Sequence, residues 1–453
     1  MHDPTEVRLI TLDPAHFHAA LVQKEMLAGV ARRCAIFAPL GPDLLQHLKR
    51  IEGFNTRAVN PATWELDVYC TPEPLERMRA ERPGNVVVIA GRNRGKIHKI
   101  AASLDAGLNV LADKPWIVDR GDVPALEAAL ETADAKGLVA YDMMTERYEI
   151  STLIQKELVQ APAIFGEALP GSEVEPGVYI ESVHHIMKTV AGVSGLRPAF
   201  FFDVREQGDG LADVGTHLVD LVPWTLFPRQ AIRCPQEIEI TGARRWPTLL
   251  GAAQFERVTG LAGFPAELAP WVSGDRLNYY CNTQVSYKIR GIHVRLDVLW
   301  NWESQGGGDT HHAAYRGTRS RIEVRQGEKE NHRPEVYVVP NGPENRAAAA
   351  AALRHHVSRL QGAYPGLGCE ELGDELRVSI PEGYRVGHEA HFAQVLAQFL
   401  KYLKSPGSMP AWERPNMLAK YYVTTASRLG GEALPGRPRD RAAKQSHAVL
   451  NRL

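Results

Sequence analysis

The sequence lacks the cysteine pairs that small secreted domains and zinc modules carry. It has five cysteines, an odd number, which are widely spaced and include no C-x-x-C pair. Both observations argue against a disulfide framework and against a zinc knuckle. We therefore expect buried, reduced thiols at all five positions, which are Cys34, Cys70, Cys234, Cys281 and Cys369.

A net charge of either sign and long apolar runs are also lacking. Lys plus Arg number 52 and Asp plus Glu number 53, so no overall field attracts nucleic acid or an anionic membrane. No apolar run approaches the roughly 20 residues of a membrane span, and the first residues lead into a strand without a signal-peptide core. The 453 residues, 44% of them hydrophobic, suit two or three globular domains. We expect a cytoplasmic protein whose partners are small molecules or further copies of itself.

A strand–helix–strand pattern between residues 85 and 119 is the clearest structural signal. The run Val86–Ala90 is short, β-branched and uniformly apolar, as in a strand buried on both faces of a parallel sheet. Apolar residues then recur at helical spacing from Lys96 as far as Gly107, and a second apolar run covers Val110–Ala112. The pattern predicts one βαβ unit.

Polar residues follow both of these strands, at the ends where open α/β sheets bind their ligands. Asn93 follows the first strand, and Asp113 and Lys114 follow the second. Pro115 stiffens the turn, so the Lys114 ammonium is held at the sheet edge. There it can orient a substrate hydroxyl and stabilise the alkoxide that forms during hydride transfer. A solvated surface lysine is the alternative.

Glycine is missing from the first strand-to-helix turn. A strand over Val7–Leu12 leads through DPAHFH at residues 13–18 into a helix from about Ala19 to Leu27. A dinucleotide-binding domain normally has G-x-G-x-x-G here, which lets the backbone approach a pyrophosphate. Either a dinucleotide binds in an altered pose, with His16 or His18 donating to it, or none binds at this turn. An imidazole that caps the helix is a further alternative for His18.

A second polar cluster lies beyond residue 200. Asp213, His217 and Asp220 recur at i, i+4 and i+7, which places them on one helix face. An Asp and a His one turn apart can act as an acid/base pair on a substrate hydroxyl. They can also ligate a metal together with His184 or His185, or the histidine can be purely structural.

These motifs resemble the glucose-fructose oxidoreductase and inositol dehydrogenase family (Gfo/Idh/MocA). In that family a helix ends in Ala-Gly, Val-x-x-Glu-Lys-Pro follows, and the second domain carries Gly-Gly-x-x-x-Asp-x-x-x-His. The matching residues here are Ala106, Gly107, Val110, Asp113, Lys114 and Pro115, then Gly208, Gly210, Asp213 and His217. Asp113 replaces the family's Glu. The chain looks like a divergent branch with its own C-terminal oxidoreductase domain.

The resemblance implies a Rossmann-like domain that binds NAD or NADP. Lys114, Asp213 and His217 inherit the catalytic roles: the lysine and the histidine share the proton transfer, and the aspartate orients a substrate diol. The cofactor-binding candidates are Asp13, His16, His18, Asn93, Asp113 and Lys114. The substrate-binding candidates are His184, His185 and Lys188. No metal ligand is assigned.

The predicted fold class is α/β plus α+β, with an N-terminal Rossmann-like parallel sheet and a C-terminal domain on an open, largely antiparallel sheet. The predicted domains are residues 1–146, 147–430 and a tail over 431–453. The strands expected in the second domain are Glu237–Thr241, Thr283–Ile289, His293–Trp300, Arg321–Arg325 and Glu335–Val339. Two late helices, His391–Leu403 and Met417–Leu429, should pack back on the first domain. Pro170–Ile180 and Gly306–His312 are predicted loops.

The leading hypothesis is a nicotinamide-dependent oxidoreductase that acts on a secondary alcohol of a sugar, glycoside or cyclitol by hydride transfer. Some family members instead retain their cofactor and hydrolyse glycosides with no net redox change, which is the second hypothesis. A third, motivated by the missing glycine turn, is a sugar-binding protein that has lost its cofactor. By analogy with the family, we expect a homo-oligomer.

Overall fold

The computed structural model describes residues 6–190, 193–194, 196–304 and 308–428. The predicted tail over 431–453 and the glycines at 306 and 307 lie outside the described residues. Within them, a six-stranded and a ten-stranded sheet are each covered by helices, and a short strand pair forms a third sheet. No helix in the described ranges is long and apolar enough to cross a membrane.

Residues 9–142 form the first of these units, with six strands and five helices. In chain order they are β1 Leu9–Leu12, α1 His18–Leu21, β2 Arg33–Ala38, α2 Pro42–Thr56, β3 Glu65–Cys70, α3 Pro74–Glu81, β4 Val86–Ile89, α4 Lys96–Asp105, β5 Asn109–Ala112, α5 Val123–Lys136 and β6 Ala140–Asp142. All strand pairs are parallel, in the order β3-β2-β1-β4-β5-β6. The predicted Rossmann-like sheet is confirmed, and its strand order reverses between β1 and β4, where such folds bind ligands.

The first helix is shorter than predicted, because α1 ends at Leu21 rather than Leu27. The next carbonyls are bonded outside the helix: Gln23 accepts from the indole of Trp64 at 2.6 Å, and Lys24 accepts from the guanidinium of Arg57 at 2.8 Å. These tertiary hydrogen bonds replace the intrahelical ones that a longer helix would need.

The second unit is built on a ten-stranded sheet. Its elements are α6 Ile150–Val159, β7 Val178–Met187, β8 Thr189–Val190, β9 Val193–Ser194, α7 Gly210–Asp213, α8 Gly215–Leu226, β10 Ile238–Gly251, α9 Ala252–Thr259, β11 Val272–Ser273, β12 Arg276–Ile289, β13 Ile292–Glu303, β14 Thr310–Arg316, β15 Ser320–Gln326, β16 Glu335–Pro340, α10 Arg346–Leu360, β17 Gly368–Leu372, β18 Glu375–Ser379, α11 His388–Lys404 and α12 Glu413–Thr424. The sheet runs β10-β12-β13-β7-β14-β15-β16-β18-β17, and β11 pairs with β12. Only the β13–β7 pair is parallel, so the prediction of a largely antiparallel sheet is confirmed.

Both predicted loops in this unit are wrong in part. β7 begins at Val178 and lies in the middle of the sheet, and His311 and His312 belong to β14. Both strands carry polar side chains that bond across the sheet: the Tyr179 hydroxyl donates to Asp297 at 3.2 Å, and His312 Nε2 lies 3.4 Å from a Glu323 oxygen. Because of these polar positions, a search of the sequence for alternating apolar residues does not detect the two strands.

The last two helices return to the first sheet, as predicted. On one face α11 buries Phe392 and Phe399, and on the other α12 buries Met417 and Tyr421. The expected burial of the thiols is only partly right. All five cysteines are free, but Cys70 is exposed because it ends the edge strand β3, and Cys234 and Cys369 are half-buried.

Candidate active site

Lys114 and Asp213 meet where the two units join. Lys114 follows β5 at the carboxyl edge of the first sheet, and its ammonium donates to the Asp213 carbonyl at 2.7 Å and to the carboxylate at 3.1 Å. Burial would raise the pKa of Asp213, but the positive charge of Lys114 outweighs it and holds the pKa below its usual value. The pair is therefore an ammonium–carboxylate contact at physiological pH.

The start of the helix that carries Asp213 is fixed by its neighbours. The Asp209 carboxylate accepts from the amides of Leu211 and Ala212 at 3.1 Å, which caps α7. Gly210 allows the close approach of this turn to β12, because a Cβ there would lie 2.0 Å from the Cys281 carbonyl oxygen. Glycine at this place in the motif is thus required by packing.

His217 lies one turn further on and is buried. Its Nδ1 has no hydrogen-bond partner among the described residues. Burial, and after it the charge of Lys114, lower the pKa of His217 to about 3. The ring is therefore neutral near pH 7, with hydrogen-bonding capacity left for a ligand.

Two histidines of the first turn converge on the carboxylate of Asp113. The Nδ1 of His18 lies 2.9 Å from Asp113 Oδ2, and the Nδ1 of His16 lies 3.5 Å from the same oxygen. The two imidazoles are edge-on at a centroid distance of 4.1 Å. Burial lowers the pKa of both histidines. Burial would raise the pKa of Asp113, but the adjacent His18 and then Lys96 outweigh it and lower that pKa.

Asn93 is held by a lysine that the sequence analysis missed. The buried ammonium of Lys96 donates to Asn93 Oδ1 at 2.6 Å and to the Asp113 carbonyl at 2.9 Å, while the Asn93 amide nitrogen donates to the Gln207 carbonyl at 2.7 Å. Burial lowers the pKa of Lys96 to about 8. Asn93 therefore links the two units. The available signal was a charged residue on the apolar face of the predicted helix.

The first turn does not fit a pyrophosphate held by backbone amides. Pro14 has no amide hydrogen, and the amides of Asp13, Ala15 and His16 donate to carbonyls of Phe37, Asp13 and Ala90 at 2.8, 2.9 and 3.1 Å. The turn also lies tightly on the end of β4: a Cβ on Gly91 would come within 2.5 Å of the Asp13 carbonyl oxygen. These three amides are therefore not free to bind a phosphate in the crevice between β1 and β4, where the strand order reverses.

Four charged side chains surround that crevice. Lys99 forms an ion pair with Asp13, and Arg92 lies 3.5 Å from Asp43. Asp43 opens α2, just after β2, where a ribose-binding carboxylate is usual, but here it is engaged with the arginine. The crevice thus holds two cations, each matched by a carboxylate.

The three predicted substrate residues are brought together, but around Asp309 rather than around Lys114. The carboxylate of Asp309 lies 2.9 Å from His184 Nδ1 and 3.2 Å from His185 Nδ1, and it also accepts from Lys188. Asp309 follows a glycine-rich stretch more than 120 positions away in sequence, so no local pattern pointed to it. None of these residues contacts Lys114, Asp213 or His217 among the hydrogen bonds of the described residues.

Asp220 does not join the site, although it was predicted to share a face with Asp213. Its carboxylate binds Arg147 at 2.6 Å and Lys420 at 3.1 Å. Arg147 also binds Glu413 at 2.9 Å, and Lys420 binds Asp142. This buried ion network joins β6, α8 and α12.

Glu146 and His388 also border the site and were not predicted. His388 Nδ1 lies 3.4 Å from a Glu146 oxygen, and its ring lies 5.8 Å from that of His18. Burial would raise the pKa of Glu146, but the hydrogen bond from His388 outweighs it, and the pKa falls to about 2.

The parallel Rossmann-like sheet and the large mixed sheet give the fold class that the sequence motifs predicted. The family model described as "Putative oxidoreductase C terminal domain" matches residues 154–429, and the chain belongs to that family. No curated protein matches the chain.

Several solved structures share this fold. A crystal structure described as a putative oxidoreductase from Parabacteroides merdae has 46% sequence identity over 94% of this chain and 97% of its own, with a TM-score of 0.91. GenD2 of gentamicin A biosynthesis, solved with NAD, has 15% identity over 95% and 96%, with a TM-score of 0.57. KijD10, a 3-ketoreductase from Actinomadura kijaniata solved with NADP and TDP-benzene, has 16% identity over 94% and 98%, with a TM-score of 0.54.

Proposed function

We propose that this chain is a nicotinamide-dependent oxidoreductase that acts on a secondary alcohol of a sugar, glycoside or cyclitol by hydride transfer. The contact between Lys114 and Asp213, with the buried His217 one helical turn away, is the observation that carries the proposal. Membership of an oxidoreductase family and the NAD or NADP in two solved structures of the same fold support it.

The three side chains have complementary roles in this proposal. Lys114 has three donors and uses two of them on Asp213, so the third can bind the substrate oxygen. Asp213 accepts a hydrogen bond from a neighbouring substrate hydroxyl. In this proposal His217 takes up the hydroxyl proton once substrate and dinucleotide are bound beside it, and the Lys114 ammonium stabilises the negative charge that develops on that oxygen.

A nicotinamide dinucleotide bound at the carboxyl edge of the first sheet would supply the hydride acceptor. Lys99 and Arg92 would hold its phosphates, in exchange for the carboxylates of Asp13 and Asp43 that they now contact. His16 and His18 lie at the same edge and can donate to it. This binding by side chains replaces the glycine loop.

A product assay tests the proposal. The purified chain is incubated with NAD⁺ or NADP⁺ and a panel of sugars, glycosides and cyclitols, and keto products are sought by mass spectrometry together with reduced nicotinamide. We expect both products in equal amounts from at least one substrate. Release of an aglycone without net reduction would assign the redox-neutral hydrolase instead. Sugar binding with no keto product and no dinucleotide binding would overturn the proposal in favour of a sugar-binding protein.

Assembly as a homo-oligomer stays a prediction, since the chain is described alone. Light scattering on the eluting peak of a gel-filtration column measures it directly.

A further inference from the structure

We propose that His16, His18 and Asp113 form a binding site for one divalent first-row transition-metal ion, with Zn²⁺ as the first to test. Among the residues that the structure describes, these three are the one group of His, Cys, Asp or Glu whose ligand atoms all lie within 4.8 Å of one another. The inference goes beyond the proposed function and does not depend on it.

The distances between the ligand atoms suit tetrahedral coordination. Zinc binds histidine nitrogen and carboxylate oxygen at about 2.0–2.2 Å, which places neighbouring ligand atoms of a tetrahedron about 3.3–3.6 Å apart. His16 Nδ1 and Asp113 Oδ2 are 3.5 Å apart. His18 Nδ1 and the same oxygen are 2.9 Å apart and would separate by a few tenths of an ångström, roughly the difference between a hydrogen bond and a shared ligand sphere.

The surrounding structure holds two of the three ligands in place. The Asp113 carbonyl accepts from Lys96, and its amide donates to the Ile89 carbonyl at 2.8 Å, so the end of β5 is fixed from both sides. The His18 ring packs against Phe392 at a centroid distance of 4.6 Å. Ligands supported in this way by neighbouring groups need little reorganisation when a metal binds.

The third ligand faces the opening of the cleft. The side chain of His16 is 23% exposed, against 10% for His18 and 6% for Asp113. Three protein ligands with an open fourth position are typical of catalytic zinc sites rather than of structural ones, which have four protein ligands. The open position would take an oxygen ligand, either water or a substrate oxygen.

Two nearby ammonium groups would repel a dication, and one of the two is neutralised by a carboxylate outside the proposed site. Lys114 contacts the Asp213 carboxylate, and Lys96 donates to Asn93 and to a carbonyl. The Asp113 carboxylate would bind the ion directly, so its negative charge would offset part of this repulsion. Two imidazoles and one carboxylate are a ligand set for zinc, iron, cobalt or nickel rather than for Mg²⁺ or Ca²⁺.

The other histidines that the sequence suggested as metal ligands form no comparable group within the described part of the chain. His184 and His185 bind opposite oxygens of Asp309, and His217 lies one turn from Asp213 on a separate helix. The proposed site therefore differs from the one that the sequence motif suggested.

Calorimetric titration of the full-length, tag-free, chelator-washed chain with Zn²⁺ tests the inference. We expect one ion per chain, a Kd weakened at least roughly 100-fold in His16→Ala and in Asp113→Asn, and an unchanged Kd in His355→Ala, an exposed histidine on α10. Substitution with Co²⁺ should give the intense visible absorption of a tetrahedral ion in the wild type and lose it in His16→Ala.

Either of two results would overturn the inference: no stoichiometric binding by the wild type, or equal affinity in the wild type and in His16→Ala. Because Asp113 is buried, circular dichroism checks that Asp113→Asn is folded, and the more exposed His16 provides the decisive variant. The titration uses neither substrate nor dinucleotide. Zinc binding without alcohol oxidation would therefore refute only the proposed function, and oxidation without zinc binding would refute only this inference.

Discussion

The Lys114 ammonium donates to two oxygens of Asp213, the backbone carbonyl at 2.7 Å and the carboxylate at 3.1 Å. A single side chain thus couples the first sheet to α7 of the second unit. The same contact leaves one ammonium donor for a ligand. It is the feature on which the proposed chemistry and the geometry of the cleft both depend.

Replacing Lys114 with Met should lower turnover by roughly 100-fold or more, because the developing alkoxide loses its positive partner. The change also leaves the Asp213 carboxylate without its cation, so the thermal midpoint should fall while the chain stays folded at the assay temperature. Steady-state kinetics and a melting curve measure the two quantities. Lys49→Met removes an exposed lysine on α2 and is the control. Turnover as high in Lys114→Met as in Lys49→Met would remove Lys114 from the mechanism.

Replacing Gly91 with Ala should destabilise the chain by roughly 1–3 kcal/mol. The new Cβ would lie 2.5 Å from the Asp13 carbonyl oxygen, so the first turn must shift. Gly53→Ala is the matched control, because a Cβ at that position in α2 meets nothing within 4 Å and should be neutral or stabilising by up to about 1 kcal/mol. Urea denaturation compares them. Equal stability of the two variants would contradict the described packing of the turn.

Replacing Lys420 with Met should cost roughly 3 kcal/mol or more. The change leaves Asp142 buried with only the Tyr421 hydroxyl, at 3.3 Å, and it removes one of the two cations that bind Asp220. Lys401→Met, on the exposed side of α11, is the control. A free energy of unfolding within about 0.5 kcal/mol of the control would show that the network contributes no net stability.

Stability should fall as the pH falls below about 6.5, the histidine pKa of the unfolded chain. Burial lowers the pKa of His47 to about 4, so this ring is neutral in the folded state and takes up a proton on unfolding between those values. The free energy of unfolding therefore decreases with decreasing pH, by roughly 3 kcal/mol at pH 4 for this residue.

His47→Leu isolates that contribution. Both ring nitrogens of His47 lack a hydrogen-bond partner within the described chain, so leucine removes the titration without removing a bond. Urea denaturation at neutral pH and at about pH 4.5 should give a smaller difference in His47→Leu than in the wild type. An identical pH dependence of the two proteins would refute the assignment.

Much of the first unit was predictable because its strands are buried on both faces. Val86–Ile89 and Val110–Ala112 are apolar throughout, and turns that contain Gly or Pro bound them, so their limits follow closely from local sequence. The central strand β7 was not predictable in this way, since half of its side chains are polar, among them Tyr179, which bonds to Asp297 of β13.

The site was predictable where a motif is local and unpredictable where it depends on distant residues. Lys114, Asp213 and His217 came from short motifs, and the structure brings the first two into contact. Asp309 and His388 reach their histidine neighbours only through sheet and helix packing across 100 or more positions, which no spacing rule reports. Asp220 fails in the opposite way. It has the helical spacing from Asp213 that the motif predicted, but its carboxylate binds Arg147 in another ion network.

Titration of the native chain with NAD(H) and NADP(H), together with analysis of any nucleotide released from freshly purified, denatured protein, measures dinucleotide binding, on which the proposed hydride transfer depends. We expect stoichiometric binding of one of the two dinucleotides, weakened when Lys99→Ala and Arg92→Ala remove the cations at the crevice. Failure of both dinucleotides to bind, with none released on denaturation, would contradict the proposed function.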